Sequence, residues 1–76
     1  MTSLDQLRPG QKACVQGIAG DDALVQRLLE MGIFEGEEVE VIGFAPFGDP
    51  MEIRLGDYRL SLRRHEAARV SVRNLP

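Results

Sequence analysis

The segment "MEIRLGDYRLSL" (residues 51–62) decides the fold, because apolar residues occupy alternate positions on both sides of a Gly-Asp pair. This period-2 pattern is typical of strands that bury one face, and Gly56-Asp57 is a common hairpin turn. We therefore predict a β-hairpin whose two arms share one inward face, formed by Met51, Ile53, Leu55, Tyr58, Leu60 and Leu62.

Three further segments show strand patterns. "KACVQGI" (12–18) has Ala13 and Val15 facing inward and Cys14 facing outward, and "RVSV" (69–72) restores the alternation near the end of the chain. In "EVEVIGF" (38–44) the apolar alternation shifts from Val39 and Val41 to Ile42 and Phe44. A phase shift beside a glycine predicts a bulge or sharp bend at Gly43.

One segment has helical spacing. In "GDDALVQRLLEMG" (20–32) Leu24, Leu28 and Met31 recur on one face, so we predict a helix over about residues 22–31. Asp21 or Asp22 is expected to cap its start, and Gly32 to end it. Near the N-terminus, "TSLDQLRPG" (2–10) has a capping-box spacing and then Pro-Gly, which allows one short helical turn.

These patterns predict a mainly β protein, a small five-stranded barrel with one inserted helix and a short N-terminal helical turn. A chain of 76 residues supports one domain over 1–76 and a thin core. The residues expected to share that core are Leu24, Leu28, Val39, Val41, Ile53, Leu60, Leu62 and Val70.

Charge and composition exclude several classes of function. The net charge is -3, which disfavours general nucleic-acid binding, although the balance is -7 through Ile53 and +4 from Arg54 onward. This asymmetry predicts either two ordinary solvated faces or a bipolar surface that orients a partner. No apolar stretch is long enough to insert into a membrane and no signal-peptide pattern is present, so we expect a cytoplasmic protein.

Catalytic chemistry has little support in the sequence, and metal binding has somewhat more. One histidine and no nucleophile-base constellation indicate that the chain is not an enzyme. Cys14, His65 and Glu66 are plausible ligands for a borderline ion, but structural zinc sites gather four ligands at regular spacing. No cofactor is required; zinc or ferrous iron would bind only weakly or between two chains.

The segment "APFGDP" (45–50), here called the 45–50 loop, raises a separate question. It lacks the lysine, the hydroxyl group and the following helix of a phosphate-binding loop. It is instead predicted to connect two strands, stiffened by Pro46 and Pro50, with Phe47 exposed at its tip. A role in holding the turn and a role in contacting a partner both remain open; Asp49 belongs to the same candidate surface.

Four segments, taken in order, resemble the ferrous iron transport protein A (FeoA) family over nearly the whole chain. They are "LRPGQKACVQGI", "RLLEMGIFEGEEVEV", "APFGDPMEIRL" and "YRLSLRRHEAARVSV". The resemblance implies an SH3-like barrel with an inserted helix. It also implies a regulatory role beside a membrane transporter for ferrous iron (FeoB), whose cytoplasmic part binds GTP, so that the protein would lie at the inner membrane through its partner.

The resemblance leaves two functions to weigh. The first is an accessory module that contacts the cytoplasmic GTP-binding domain of the transporter through the 45–50 loop, with Arg63, Arg64 and Arg69 as the next surface to consider. The second is a small metal-sensing domain that dimerises around zinc or iron, since a related domain is fused to iron-dependent repressors. Fold alone does not decide between them.

Overall fold

The computed structural model describes residues 2–76, and over this range the chain is mainly β. It forms six strands, a single 3₁₀ turn and two helices. In chain order these are β1 (Thr2–Ser3), the 3₁₀ turn (Leu4–Gln6), β2 (Lys12–Ile18), α1 (Ala23–Glu30), β3 (Glu38–Phe44), β4 (Met51–Leu55), β5 (Tyr58–Leu62), α2 (Arg64–Ala67) and β6 (Val70–Asn74).

All strands belong to one antiparallel sheet in the order β1-β6-β2-β3-β4-β5. The predicted hairpin is β4 and β5, with Leu55 opposite Tyr58 across the Gly56-Asp57 turn. The strand count is one higher than the sequence predicts, because Thr2 and Ser3 pair with Val72 and Ser71. A two-residue strand is too short to produce a visible alternation of apolar and polar residues.

Two register shifts bend the sheet at glycines. One lies in β3 between Val41 and Gly43, where it confirms the bulge that the apolar phase shift predicts. The other lies in β2 between Val15 and Gly17, against β6. A bulge increases the local twist of a strand, so these two positions help a short sheet to wrap around its own core.

The core is one cluster that draws on β2 to β6, both helices and the segment around the 3₁₀ turn. Buried side chains on the sheet follow the predicted alternation, including Ala13, Val15 and the three apolar residues of β4. Six of the eight predicted core residues are buried: Leu28, Val39, Val41, Ile53, Leu62 and Val70.

The predictions for Leu24 and Leu60 were wrong in degree, because both are only partly buried against the core. Helix α1 has eight residues, of which Leu28 alone is fully covered, so Leu24 lies towards the rim of the contact. On β5 the inward face opens progressively towards the hairpin turn: Leu62 is buried, and Tyr58 is 46% exposed. Its hydroxyl donates a hydrogen bond to the carbonyl of Met31 at 2.8 Å, at the end of α1.

Helix α1 ends as predicted but begins differently. The Gly32 amide donates to the Leu29 carbonyl and the Ile33 amide donates to the Leu28 carbonyl, which is the Schellman arrangement. Gly32 has φ +98°, and a Cβ there would lie 2.3 Å from the Tyr58 hydroxyl, so only glycine fits this position. At the start, Asp22 occupies the N-cap position without a side-chain capping bond, because its carboxylate is engaged by Arg69.

A short helix, α2, joins the last two strands, and its start depends on Glu66. The side chain of Glu66 is 2% exposed, the one buried charged residue in the part of the chain described. One carboxylate oxygen accepts a hydrogen bond from the Arg63 amide at 2.8 Å, and the other pairs with Arg27 of α1 at 2.8 Å. The carboxylate thus caps α2 and joins it to α1.

Neither helix of the described chain has the length and apolar content that a membrane span needs.

We predict that Leu62→Ala will lower the free energy of unfolding by about 2 to 5 kcal/mol, a large share of the total for a small domain. The side chain is fully buried, so its removal leaves a cavity. Leu60→Ala is the matched control and should cost less, because Leu60 is already partly exposed. Urea melts of both variants measure the difference, and an equal or larger cost at Leu60 would contradict the described packing of β5.

We also predict that Glu66→Ala will lower the free energy of unfolding by about 1 to 3 kcal/mol, because the Arg63 amide loses its acceptor. The pair with Arg27 adds little, since the Arg27 side chain is 61% exposed. Glu30→Ala removes an exposed carboxylate from α1 and should change stability by less than about 0.5 kcal/mol. Similar melts for both variants would show that Glu66 does not secure α2.

Candidate functional site

The 45–50 loop connects β3 to β4 and is closed by its own backbone. The Ala45 amide donates to the Pro50 carbonyl at 2.9 Å, and the Gly48 amide donates to the Ala45 carbonyl at 2.7 Å. Gly48 has φ +87°, and the Asp49-Pro50 peptide bond is cis. The sequence prediction of a strand connection is confirmed, and the two backbone hydrogen bonds give the connection a defined turn.

Phe47 projects from the tip of this loop. Its side chain is 101% exposed, against 49% for Phe34 and 46% for Tyr58, the other exposed large hydrophobic residues among residues 2–76. Pro46 beside it is also exposed. A phenyl ring left wholly in water contributes nothing to the core and gains about 1.5 to 3 kcal/mol if a partner buries it. The exposure predicted for Phe47 is thus confirmed.

Arg64, the first residue of α2, contacts the loop through its guanidinium group. Its guanidinium donates to the Gly48 carbonyl at 3.4 Å and to the Asp5 carbonyl of the 3₁₀ turn at 3.2 Å. The same group lies over the ring of Phe44, 5.1 Å from its centroid. Arg64 therefore bridges three separate parts of the chain.

Asp49 completes this connection from the loop side. Its carboxylate accepts a hydrogen bond from the Arg64 amide at 3.0 Å. Asp49 is exposed, so the bond is weaker than a buried one, but it fixes the loop to the start of α2. Two of the proposed partner-binding residues, Asp49 and Arg64, thus contact each other within the chain.

Arg69 and Arg63 differ sharply in what they contact. Arg69 makes a bidentate pair with Asp22, with distances of 2.7 and 3.0 Å. Hydrogen bonding by the guanidinium lowers the pKa of the Asp22 carboxyl below its ordinary value, and the carboxylate raises the pKa of Arg69. Arg63 is exposed and forms no ion pair with any residue from 2 to 76. Of the three arginines considered for a partner surface, Arg63 therefore has the most available guanidinium.

The candidate metal ligands occupy different environments. Cys14 is half-buried on β2, where its cross-strand neighbours are Glu38 and Arg73. His65 is exposed on α2, and both carboxylate oxygens of Glu66 are engaged. Within residues 2–76 no three His, Cys, Asp or Glu side chains are grouped so that they could hold a metal ion. A site shared between two chains stays a prediction.

An open groove adjoins the loop and the β3 bulge at Gly43. It has a volume of about 400 Å³ and is lined mainly by apolar residues, with Glu52 and Ser61 at its polar side. The apolar part comprises Ile42, Phe44, Ala45, Pro50 and Met51. The loop and this groove together form a continuous, partly apolar surface.

Sequence reasoning missed the structural role of two of these residues. Arg64 was predicted only as part of a surface for a partner, because nothing in "RRHEAARV" (63–70) shows that the 3₁₀ turn and the loop lie nearby. Glu66 was considered only as a metal ligand. The spacing of Arg63 and Glu66 does match that of an N-cap and an N3 glutamate, and this is the signal that could have identified it.

Comparison with known proteins identifies the family. Residues 2–74 match the model of the FeoA domain. A curated relative, the Fe(2+) transport protein A/Fe(2+) transporter FeoB fusion protein of Porphyromonas gingivalis, is 38% identical over 69 residues, which is 91% of this chain. The chain spans only 8% of the length of that relative.

Solved structures agree with the sequence match. A FeoA-like protein from Clostridium acetobutylicum is 36% identical with a TM-score of 0.92, covering 99% of this chain and 87% of the other. The zinc complex of Stenotrophomonas maltophilia FeoA, described as an SH3 domain protein, is 34% identical with a TM-score of 0.83, covering 96% and 91% of the two chains. A manganese-dependent transcriptional repressor, 19% identical with a TM-score of 0.89 over 97% of this chain and 41% of its own, shares the fold alone.

The SH3-like fold expected from the sequence is therefore confirmed, and so is the link to ferrous iron transport that the family carries. With its family model matched over residues 2–74 and relatives of similar fold and sequence, this chain belongs to the FeoA family.

Proposed function

We propose that this chain is an accessory module that docks on the cytoplasmic GTP-binding domain of a ferrous iron transporter and acts by protein-protein contact. The observation that carries the proposal is the relative in which a FeoA part and the transporter FeoB form one polypeptide. Two functions joined in one chain work at the same place, and a separate module needs a binding surface to achieve the same proximity.

The 45–50 loop is the surface that we propose for this contact. Phe47 offers a fully exposed ring on a loop whose ends are joined by one backbone hydrogen bond and whose turn is closed by a second. A side chain presented on a rigid turn loses little conformational entropy when a partner binds it. Aromatic residues at the centre of an interface commonly contribute most of the binding free energy.

The charges around the loop support a partner with acidic groups near an apolar pocket. Arg63 lies at the start of α2, which is fixed to the loop through Asp49, and its guanidinium forms no ion pair within residues 2–76. A free arginine beside an apolar anchor favours carboxylates at the rim of the partner's pocket. Arg64 and Arg69 contribute less to such a rim, because their guanidinium groups are engaged within the chain.

The proposal places the protein in the cytoplasm, at the inner face of the membrane through its partner. The module would bias the conformation or position of the GTP-binding domain and would carry out no chemical step itself. FeoA proteins form a family of small SH3-like domains.

A second candidate function is a domain that dimerises around a divalent ion, and one observation favours it. The FeoA protein of Stenotrophomonas maltophilia forms a complex with zinc and is 34% identical to this chain. Here Cys14 and His65 are accessible enough to act as ligands, but a complete set would need contributions from two chains.

We predict that Phe47→Ala will weaken binding to the isolated cytoplasmic GTP-binding domain by about 1 kcal/mol or more, roughly a fivefold rise in Kd. The ring is wholly exposed, so its removal should leave the fold intact. Isothermal titration calorimetry measures the affinity, and a circular dichroism melt checks the fold.

Phe34→Ala is the matched control for this experiment. It removes the same ring from the connection between α1 and β3, where Phe34 is half exposed, and should leave the affinity unchanged. Parental affinity of the Phe47→Ala variant would show that the loop serves only to join two strands.

The metal alternative predicts that excess zinc will shift the protein from monomer to dimer in a sizing experiment, because shared ligands join two chains. Cys14→Ser should then reduce the shift by removing a thiolate ligand. Ser61→Ala changes an exposed residue that is not a candidate zinc ligand, and it should not reduce the shift. An elution volume that stays constant as zinc is added would count against this function.

A further inference from the structure

We propose that Arg64 is the positioning residue of the docking loop: it holds the 45–50 loop in one conformation and thereby presents Phe47 to the partner. This inference rests on the proposed docking function for its effect on binding. The structural part, that Arg64 immobilises the loop, concerns the free protein and can be measured without any partner.

Arg64 contacts the chain on both sides of the loop tip. At the β3 end, its guanidinium lies over the ring of Phe44, the residue that precedes the loop. Towards the other end, the same group donates to the Gly48 carbonyl, and the Arg64 amide donates to Asp49. Between these points only three residues, Ala45, Pro46 and Phe47, lack a contact with Arg64 among those described.

A fourth contact anchors Arg64 itself. The guanidinium donates to the Asp5 carbonyl of the 3₁₀ turn at 3.2 Å, and the neighbouring Leu4 is fully buried in the core. The Arg64 side chain thus connects the loop to the N-terminal 3₁₀ turn, which packs into the core through Leu4. A planar guanidinium can donate in two directions while its face covers a ring, and an ammonium group cannot do all three.

Arg64 is exposed, so no single one of these contacts is strong. Together they restrict the motion of the loop, because the guanidinium cannot rotate away without losing its contacts with Phe44, Gly48 and Asp5 at once. A loop that is already ordered binds more tightly than a mobile loop with the same side chains. Arg64 therefore acts on binding through Phe47.

The direct alternative is that Arg64 binds the partner's carboxylates itself. A double-mutant cycle separates the two roles, since residues that act through one another give non-additive changes. If Arg64 positions Phe47, Arg64→Ala should raise the Kd for the GTP-binding domain by about threefold to tenfold in the parent, and by less than about twofold in the Phe47→Ala background. Equal rises in both backgrounds would overturn the positioning role.

Two further variants and one control variant refine the cycle. Asp49→Ala removes the second connection between the loop and α2 and should weaken binding in the same non-additive way. Arg64→Lys keeps the charge but cannot donate to the Gly48 and Asp5 carbonyls while covering the Phe44 ring, so its affinity should lie between those of the parent and Arg64→Ala. Arg73→Ala, an equal loss of charge from an exposed position near the end of β6, should leave the Kd unchanged.

Amide hydrogen exchange of the free protein tests the loop directly. The Gly48 amide, bonded to the Ala45 carbonyl, should exchange about tenfold faster in Arg64→Ala, with no change in Arg73→Ala. An unchanged Gly48 rate in a folded Arg64→Ala variant would overturn the inference. If Phe47→Ala binds as the parent does, the docking function fails instead, and the exchange rate alone then decides whether Arg64 holds the loop.

Discussion

The buried carboxylate of Glu66 is the interaction on which the arrangement of the molecule depends. It fixes the start of α2 through the Arg63 amide and attaches α2 to α1 through Arg27. With α2 fixed, Arg64 reaches the 45–50 loop and Arg69 reaches the N-terminus of α1. Seven residues, 63–69, therefore connect the helix, the loop and the last strand.

Ion pairs within the fold join the two oppositely charged parts of the chain. Several arginines of the C-terminal part pair with acidic residues of the N-terminal part: Arg54 with Glu40, Arg59 with Glu52, and Arg69 with Asp22. Folding thus pairs three of the ten acidic residues that precede Arg54 with arginines of the C-terminal part. Among residues 2–76, Arg63 forms no such pair, so its charge stays available at the surface.

The features that could be predicted from the sequence are those that depend on nearest neighbours. The β4-β5 hairpin, the bulge at Gly43 and the glycine end of α1 all follow from local patterns. The exposure of Phe47 also follows, since a ring between Pro and Gly at a turn tip has little to pack against. The contacts of Asp22 with Arg69, of Arg64 with the loop and of Glu66 with Arg27 could not be predicted. Each joins residues at least fifteen positions apart, and sequence order does not show which distant residues meet. Family resemblance supplied the fold but not these contacts.

The pairing of β1 with β6 has a consequence for how such a domain is used. Thr2 lies opposite Val72, so the chain enters and leaves the sheet on neighbouring strands. A unit whose entry and exit points are adjacent can be spliced into a longer polypeptide, or appended to it, without rearrangement of either part. Gene fusion and duplication therefore meet no topological obstacle here. The same fold is compatible with a separate module and with one that is covalently joined to a partner. In both forms the distance from the end of β6 to the 45–50 loop is the same.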